Sequence, residues 1–94
     1  MADPTLESTV ELPPKVTFGR VEDELAILDE ETGQYYGLDD VGSRVWEVFH
    51  ETSSLREAHT VLMKEFEIEE DDLEEAIIEF AKEMVELELL AVKP

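Results

Sequence analysis

No cysteine occurs anywhere in the chain, which excludes disulfides, thiolate metal sites and thiol nucleophiles. Any cysteine-dependent reaction linked to this chain belongs to another protein. Basic residues are also scarce: 7 Lys and Arg stand against 26 Asp and Glu, a formal charge of −19. Such a surface repels phosphate backbones and anionic lipid, so no nucleic-acid and no membrane partner is expected. Partners should be neutral or basic. No apolar run approaches the roughly 20 residues of a membrane span. The opening MADPTLESTVELPP lacks the basic start and apolar core of a signal peptide, so a cytoplasmic location is expected.

What is present suffices for one folded body. Ninety-four residues, 43% hydrophobic and 35% charged, suit a single small core under a heavily solvated surface rather than a disordered chain. Residues 1–14 end in Pro13-Pro14, which supports neither a helix nor a central strand, and they read as a flexible N-terminal tail. The domain is expected over 15–94.

Val16, Phe18 and Val21 predict a first strand, and the run Leu25-Ala26-Ile27-Leu28 is apolar on both faces, as a central strand should be. Glu30-Glu31-Thr32-Gly33 supplies a hairpin loop, with Gly33 suited to positive φ, so Gln34 to Leu38 forms the third strand. In such a meander the third strand keeps one edge unpaired. Asp39 or Asp40 then caps a helix over roughly 40–50, whose apolar face is Val41, Val45, Trp46, Val48 and Phe49.

Ser54-Leu55-Arg56-Glu57 matches a capping box and opens a second helix to about Phe66. A third, acidic-started helix begins near Glu70. At about 100° per residue, Leu73, Ala76, Ile77, Phe80, Met84 and Leu87 form its expected core stripe, leaving Ile78, Ala81 and Val85 as a second apolar flank. Leu89 to Val92 can add a short final strand. The fold class expected is α+β, winged helix-turn-helix-like: a three-stranded antiparallel sheet followed by three helices.

The usual catalytic and ligand-binding patterns are weak. His50 and His59 lie on different helices without a partner at metal-ligand spacing and read as surface or boundary residues. Asp29, Glu31 and Asp40 loosely resemble a calcium loop, but Gly33 and Gln34 stand where a ligand and a glycine are required. Ser43 in Gly37 to Ser43 suggests an acyl carrier, yet Gly42 rather than aspartate precedes it, and three strands do not suit a four-helix carrier. A DNA-reading winged helix, or a winged-helix interaction or regulatory domain, is a further alternative. Groove insertion of the acidic third helix would bring like charges together.

The free edge with Tyr35 and Tyr36, beside a helix with a surplus apolar flank, suits β-augmentation: an extended peptide pairs with the edge and lays alternate side chains against the helix. The plainer reading puts Tyr36 and Leu38 in the core, Tyr35 on the surface, and covers the flank with the tail or C-terminal segment.

Leu28-Asp29 with Thr32-Gly33, followed by Tyr36-x-Leu38-Asp39, Gly42 and Trp46, resembles the signature of the PqqD family over roughly residues 16–92. Asp39 stands where many relatives carry asparagine, which preserves capping. The resemblance implies a recognition element for precursor peptides of ribosomally made, modified natural products (a RiPP recognition element), similar to standalone chains of lasso peptide pathways. It implies a partner leader peptide with a Tyr-x-x-Pro element, and delivery to a separate leader peptidase. The family's leader adds a strand to the third strand and lies against the third helix. Carried over by position, that implies contacts from Tyr35, Tyr36, Gly37 and Leu38 on the strand and from Glu74, Ile78, Ala81, Lys82 and Val85 on the helix. It implies no catalytic residue, no cofactor and no metal.

Overall fold

A computed structural model describes residues 3–93. The elements run β1 (Thr9–Glu11), β2 (Val16–Val21), β3 (Glu24–Asp29), β4 (Gln34–Leu38), α1 (Asp40–Thr52), α2 (Leu55–Glu65), α3 (Glu70–Glu86) and β5 (Ala91–Lys93). β2, β3 and β4 form the antiparallel meander, with β3 in the middle. The α+β order expected from the sequence is the one observed, with a small β1–β5 sheet added.

Local chemistry accounts for the boundaries. At the β3–β4 turn the Asp29 carboxylate accepts from the N–H groups of Glu31 (3.0 Å) and Thr32 (3.3 Å), while Gly33 N–H donates to the Asp29 carbonyl at 2.8 Å. Gly33 sits at φ 75°, which favours glycine. Asp39 Oδ1 accepts from Gly42 N–H at 2.7 Å to start α1, and Ser54 Oγ accepts from Glu57 N–H at 3.3 Å to start α2. No side chain caps α3, but Glu70, Asp71 and Asp72 face the positive end of its dipole.

The helices cover one face of the meander. Leu25 and Ile27 of β3 meet Val45, Trp46, Val48 and Phe49 of α1, with Leu55, Ala58 and Leu62 of α2 and Leu73, Ile77, Ala81 and Met84 of α3 closing the core. Each fully buried large aliphatic contributes roughly 1.5–3 kcal/mol relative to its exposed state.

The expected flexible tail through residue 14 does not hold for residues 9–11. Val10 is 2% exposed, Val10 N–H donates to the Ser53 carbonyl at 2.7 Å, and β1 pairs with β5 in the register Val10↔Val92. Burying this valine and satisfying the backbone of β5 outweigh the entropy of ordering a short segment. The final strand expected at Leu89 to Val92 shifts to Ala91–Lys93, because Leu89 and Leu90 are buried in the core.

Candidate functional site

Among the described residues β4 pairs only with β3, so its other edge is open. Two hydrogen bonds determine which of its amides face outward. Gly33 N–H returns to the Asp29 carbonyl at the turn, and at the far end Leu25 N–H points toward β4, where it donates to Ser43 Oγ at 3.2 Å. That hydroxyl in turn donates to the Leu38 carbonyl at 3.2 Å. Mutually facing pairs recur at every second residue of an antiparallel ladder. Asp29–Gln34, Ile27–Tyr36 and Leu25–Leu38 are therefore the pairs turned toward each other. Tyr35 and Gly37 direct their N–H and C=O groups to the open side.

Beside that edge lies an open groove of about 360 Å³ between β4, the start of α1 and α3. Val45 and Met84 are buried and, with Leu38 and Phe80, make an apolar floor; exposed Val41, Asp39 and Glu83 form its rim. Phe80 is braced edge-on by Phe49, with ring centroids 5.8 Å apart. Gly42 permits this closeness: a Cβ there would lie 3.1 Å from Asp39 Oδ1 and 3.6 Å from both Leu38 and Phe80. The groove continues along α3 over a shelf of Ala76, Glu79, Phe80, Lys82, Glu83 and Glu86. An edge of unpaired amides beside an apolar channel can accept an extended peptide; no arrangement among these residues activates a nucleophile.

The strand residues expected at the site divide between its faces. Gly37 and Leu38 line the groove, Tyr36 is half-buried against the core, and Tyr35 projects from the opposite face of the sheet at 71% exposure. Of the α3 residues expected at the site, only Lys82 borders the groove, on its outer shelf. Ala81 is 0% exposed in the core and Val85 is half-buried against it. Glu74, Ile78 and Val85 lie roughly 120–160° around the helix from Phe80.

The surplus apolar flank thus exists, but packing puts it at Ala76 and Phe80 rather than at Ile78, Ala81 and Val85. Ala81 replaces Ala76 in the buried stripe, and Leu87, expected in that stripe, is 36% exposed. Val41, Val45, Ala76, Phe80, Glu83 and Met84 are groove residues that the sequence reading did not assign there. Val41, expected on the apolar face of α1, is instead 57% exposed at the groove rim, one turn too early in the helix to reach the core.

Other polar groups have structural work. Ser43 is 0% exposed with both hydrogen bonds committed to the sheet, which removes the acyl-carrier alternative because its hydroxyl cannot receive a prosthetic group without opening the core. His59, expected at the surface or boundary, is buried with Nε2 3.0 Å from the Glu70 carbonyl; His50 is exposed and edge-on to Phe18. Burial pushes the Asp29 carboxyl up, but Lys15 at 3.1 Å and the turn N–H groups outweigh it and hold it below the ordinary range.

Arg44 grips Glu65 with two bonds of 2.7 Å and holds that carboxyl low, and Arg20 holds the Glu47 carboxyl low with bonds of 3.1 and 2.8 Å. With Lys15–Asp29, Arg56–Glu7 and Lys93–Glu11, five of the seven basic side chains are in ion pairs. The unbalanced charge of the surface is accordingly acidic.

Residues 24–90 match the family coenzyme PQQ synthesis protein D (PqqD). Two solved structures are similar in three dimensions. One is TbiB1 in complex with the TbiA(beta) leader peptide: 29% identical, covering 85% of this chain and 93% of that one, with a TM-score of 0.79. The other, a lasso peptide synthetase B1 complexed with the leader peptide, shares the fold at 20% identity, covering 88% and 98%, with a TM-score of 0.80. A comparison with curated proteins finds no match.

Proposed function

This chain belongs to the PqqD family, and from that premise we propose that it is a non-catalytic leader-peptide-binding protein of a lasso peptide pathway. It captures a precursor peptide by strand addition to β4 and presents it, in the cytoplasm, to a separate leader peptidase. The observation that carries this reading is the open β4 edge, with the amides of Tyr35 and Gly37 turned outward beside a groove floored by Leu38, Val45, Phe80 and Met84.

Backbone bonds to Tyr35 and Gly37 give affinity with little dependence on sequence. The groove adds selectivity: it favours apolar or aromatic leader side chains, such as the ring and proline of a Tyr-x-x-Pro element, spaced to enter from one face of the added strand. The leader complexes of TbiB1 and of the lasso peptide synthetase B1 are consistent with this assignment.

The direct test is fluorescence polarisation with a labelled leader peptide carrying Tyr-x-x-Pro, against the same peptide with both residues changed to alanine. Saturable binding of the first and at least about tenfold weaker binding of the second is expected, the equivalent of 1.4 kcal/mol or more. Equal affinities would remove the groove from recognition, and no binding to either would remove the function.

A further inference from the structure

Alternation along β4 sends Tyr36 and Leu38 toward the core, where both are half-buried, and Tyr35 and Gly37 to the outer face of the sheet. The Tyr35 ring stands there 71% exposed, and nothing lies within 4 Å of the point a Gly37 Cβ would occupy. In register Tyr35 is opposite Leu28 and Gly37 is opposite Ala26, both of them half-buried. The outer face therefore has a gap over Gly37 and Ala26, with Tyr35 and Leu28 along one side, and the gap opens at the free edge of β4.

The outward amides of Tyr35 and Gly37 determine what meets this gap. In an antiparallel added strand, the residues opposite these two exchange both backbone bonds with them, and directly opposed residues send their side chains to the same face. The partner of Tyr36 thus faces inward, while the partners of Gly37 and Tyr35, two positions apart, face outward. We propose that the leader is read on both faces of its strand, and that the residue opposite Gly37 carries an aromatic side chain that lies across Gly37 and Ala26 against the Tyr35 ring. The proposal rests on the leader-binding reading and adds a specificity position outside the groove.

Geometry selects the occupant. A side chain on the strand beside β4 begins only about 5 Å from Gly37, and the Tyr35 ring is its diagonal neighbour at about 7–8 Å, within reach of a ring but not of a methyl group. A flat ring covers the bare backbone of a glycine on an edge strand, shields the β4 peptide groups from water and meets Tyr35 with few rotors to freeze. The gap is continuous with the pairing edge through Gly37, whose backbone also lines the groove. The same strand that fills the groove therefore delivers this side chain. A carboxylate there would enter the field of a chain at net −19.

The test uses the full chain and a labelled leader peptide carrying Tyr-x-x-Pro, prepared as a series in which each residue in turn is tryptophan or alanine. At one position the wild-type chain is expected to prefer tryptophan at least about fivefold. Tyr35→Phe should keep that preference and Tyr35→Ser should reduce it to within about twofold, while the ratios at the two adjoining positions, whose side chains face the groove, stay as in wild type. Each ratio is taken within one protein, so a change in overall affinity cancels, and circular dichroism checks the fold of both variants. Binding by the wild-type chain with no position whose preference depends on Tyr35 overturns the outer-face position alone. Failure of the wild-type chain to bind any peptide of the series overturns the leader-binding reading and this inference together.

Discussion

The Ser43 hydroxyl donates to the Leu38 carbonyl at 3.2 Å, at the point where β4 ends and its groove begins. The same oxygen accepts from Leu25 N–H, so a helix side chain stands in for the last rung between β3 and β4. Ser43→Ala leaves a buried N–H and a carbonyl to find each other or go unpaired. A loss of about 1–3 kcal/mol is expected, read as a lower midpoint in urea denaturation, and Ser43→Thr should not restore it because the added methyl has no room at a fully buried site.

Edge parity gives a sharper contrast. Gly37→Pro removes an N–H that faces outward and adds its ring where no atom lies within 4 Å of the Cβ position, so circular dichroism should report a native fold while leader binding is lost. Tyr36→Pro removes an N–H turned toward Ile27 and should unfold the sheet. Equal behaviour of the two variants would contradict the parity.

The two flanks of α3 can be separated in the same assay. Ala76→Glu is expected to keep the helix and weaken leader binding at least about tenfold, because it sets a charge in the apolar channel. Ile78→Ala, roughly 160° away on the helix, should leave affinity within about twofold at matched salt. The reverse ranking would return the site to the Ile78 flank.

Acid should act through the β3–β4 turn. Asp29 is held below its ordinary value of 3.8, so its contribution is fully present above that pH and is lost as pH falls through the lower folded-state value. Wild type should therefore exceed Asp29→Asn in urea midpoint at pH 7, with the gap closing below pH 3.8. A gap that persisted at lower pH would mean that the carboxylate charge is not what holds Lys15 and the turn.

Much of this was legible before the structure. Alternation and turn chemistry place β4 at Gln34–Leu38, where it is found, and the caps at Asp39 and Ser54 are both used. β1 was not legible, since Thr9-Val10-Glu11 holds one apolar residue and its pairing partner lies about eighty positions away. The face of α3 was legible only as two candidates. Helical periodicity identifies an apolar arc and its flanks, but which flank meets β4 depends on how α3 docks on α1 and α2.

By itself, then, the sequence determined the local matters: where the chain turns, where helices start, the presence of an unfinished sheet edge, the acidic charge of the surface, and the lack of thiol chemistry. Those depend on residues near one another in the chain, or on composition. Only the tertiary structure decided that Tyr35 and Gly37 carry the outward amides, that Ala76 and Phe80 rather than Ile78 and Val85 line the groove, and that Ser43 is a strut. Each of these depends on the rotation and register of elements packed together, and a small rotation changes which side chain is buried while leaving the pattern along the chain the same.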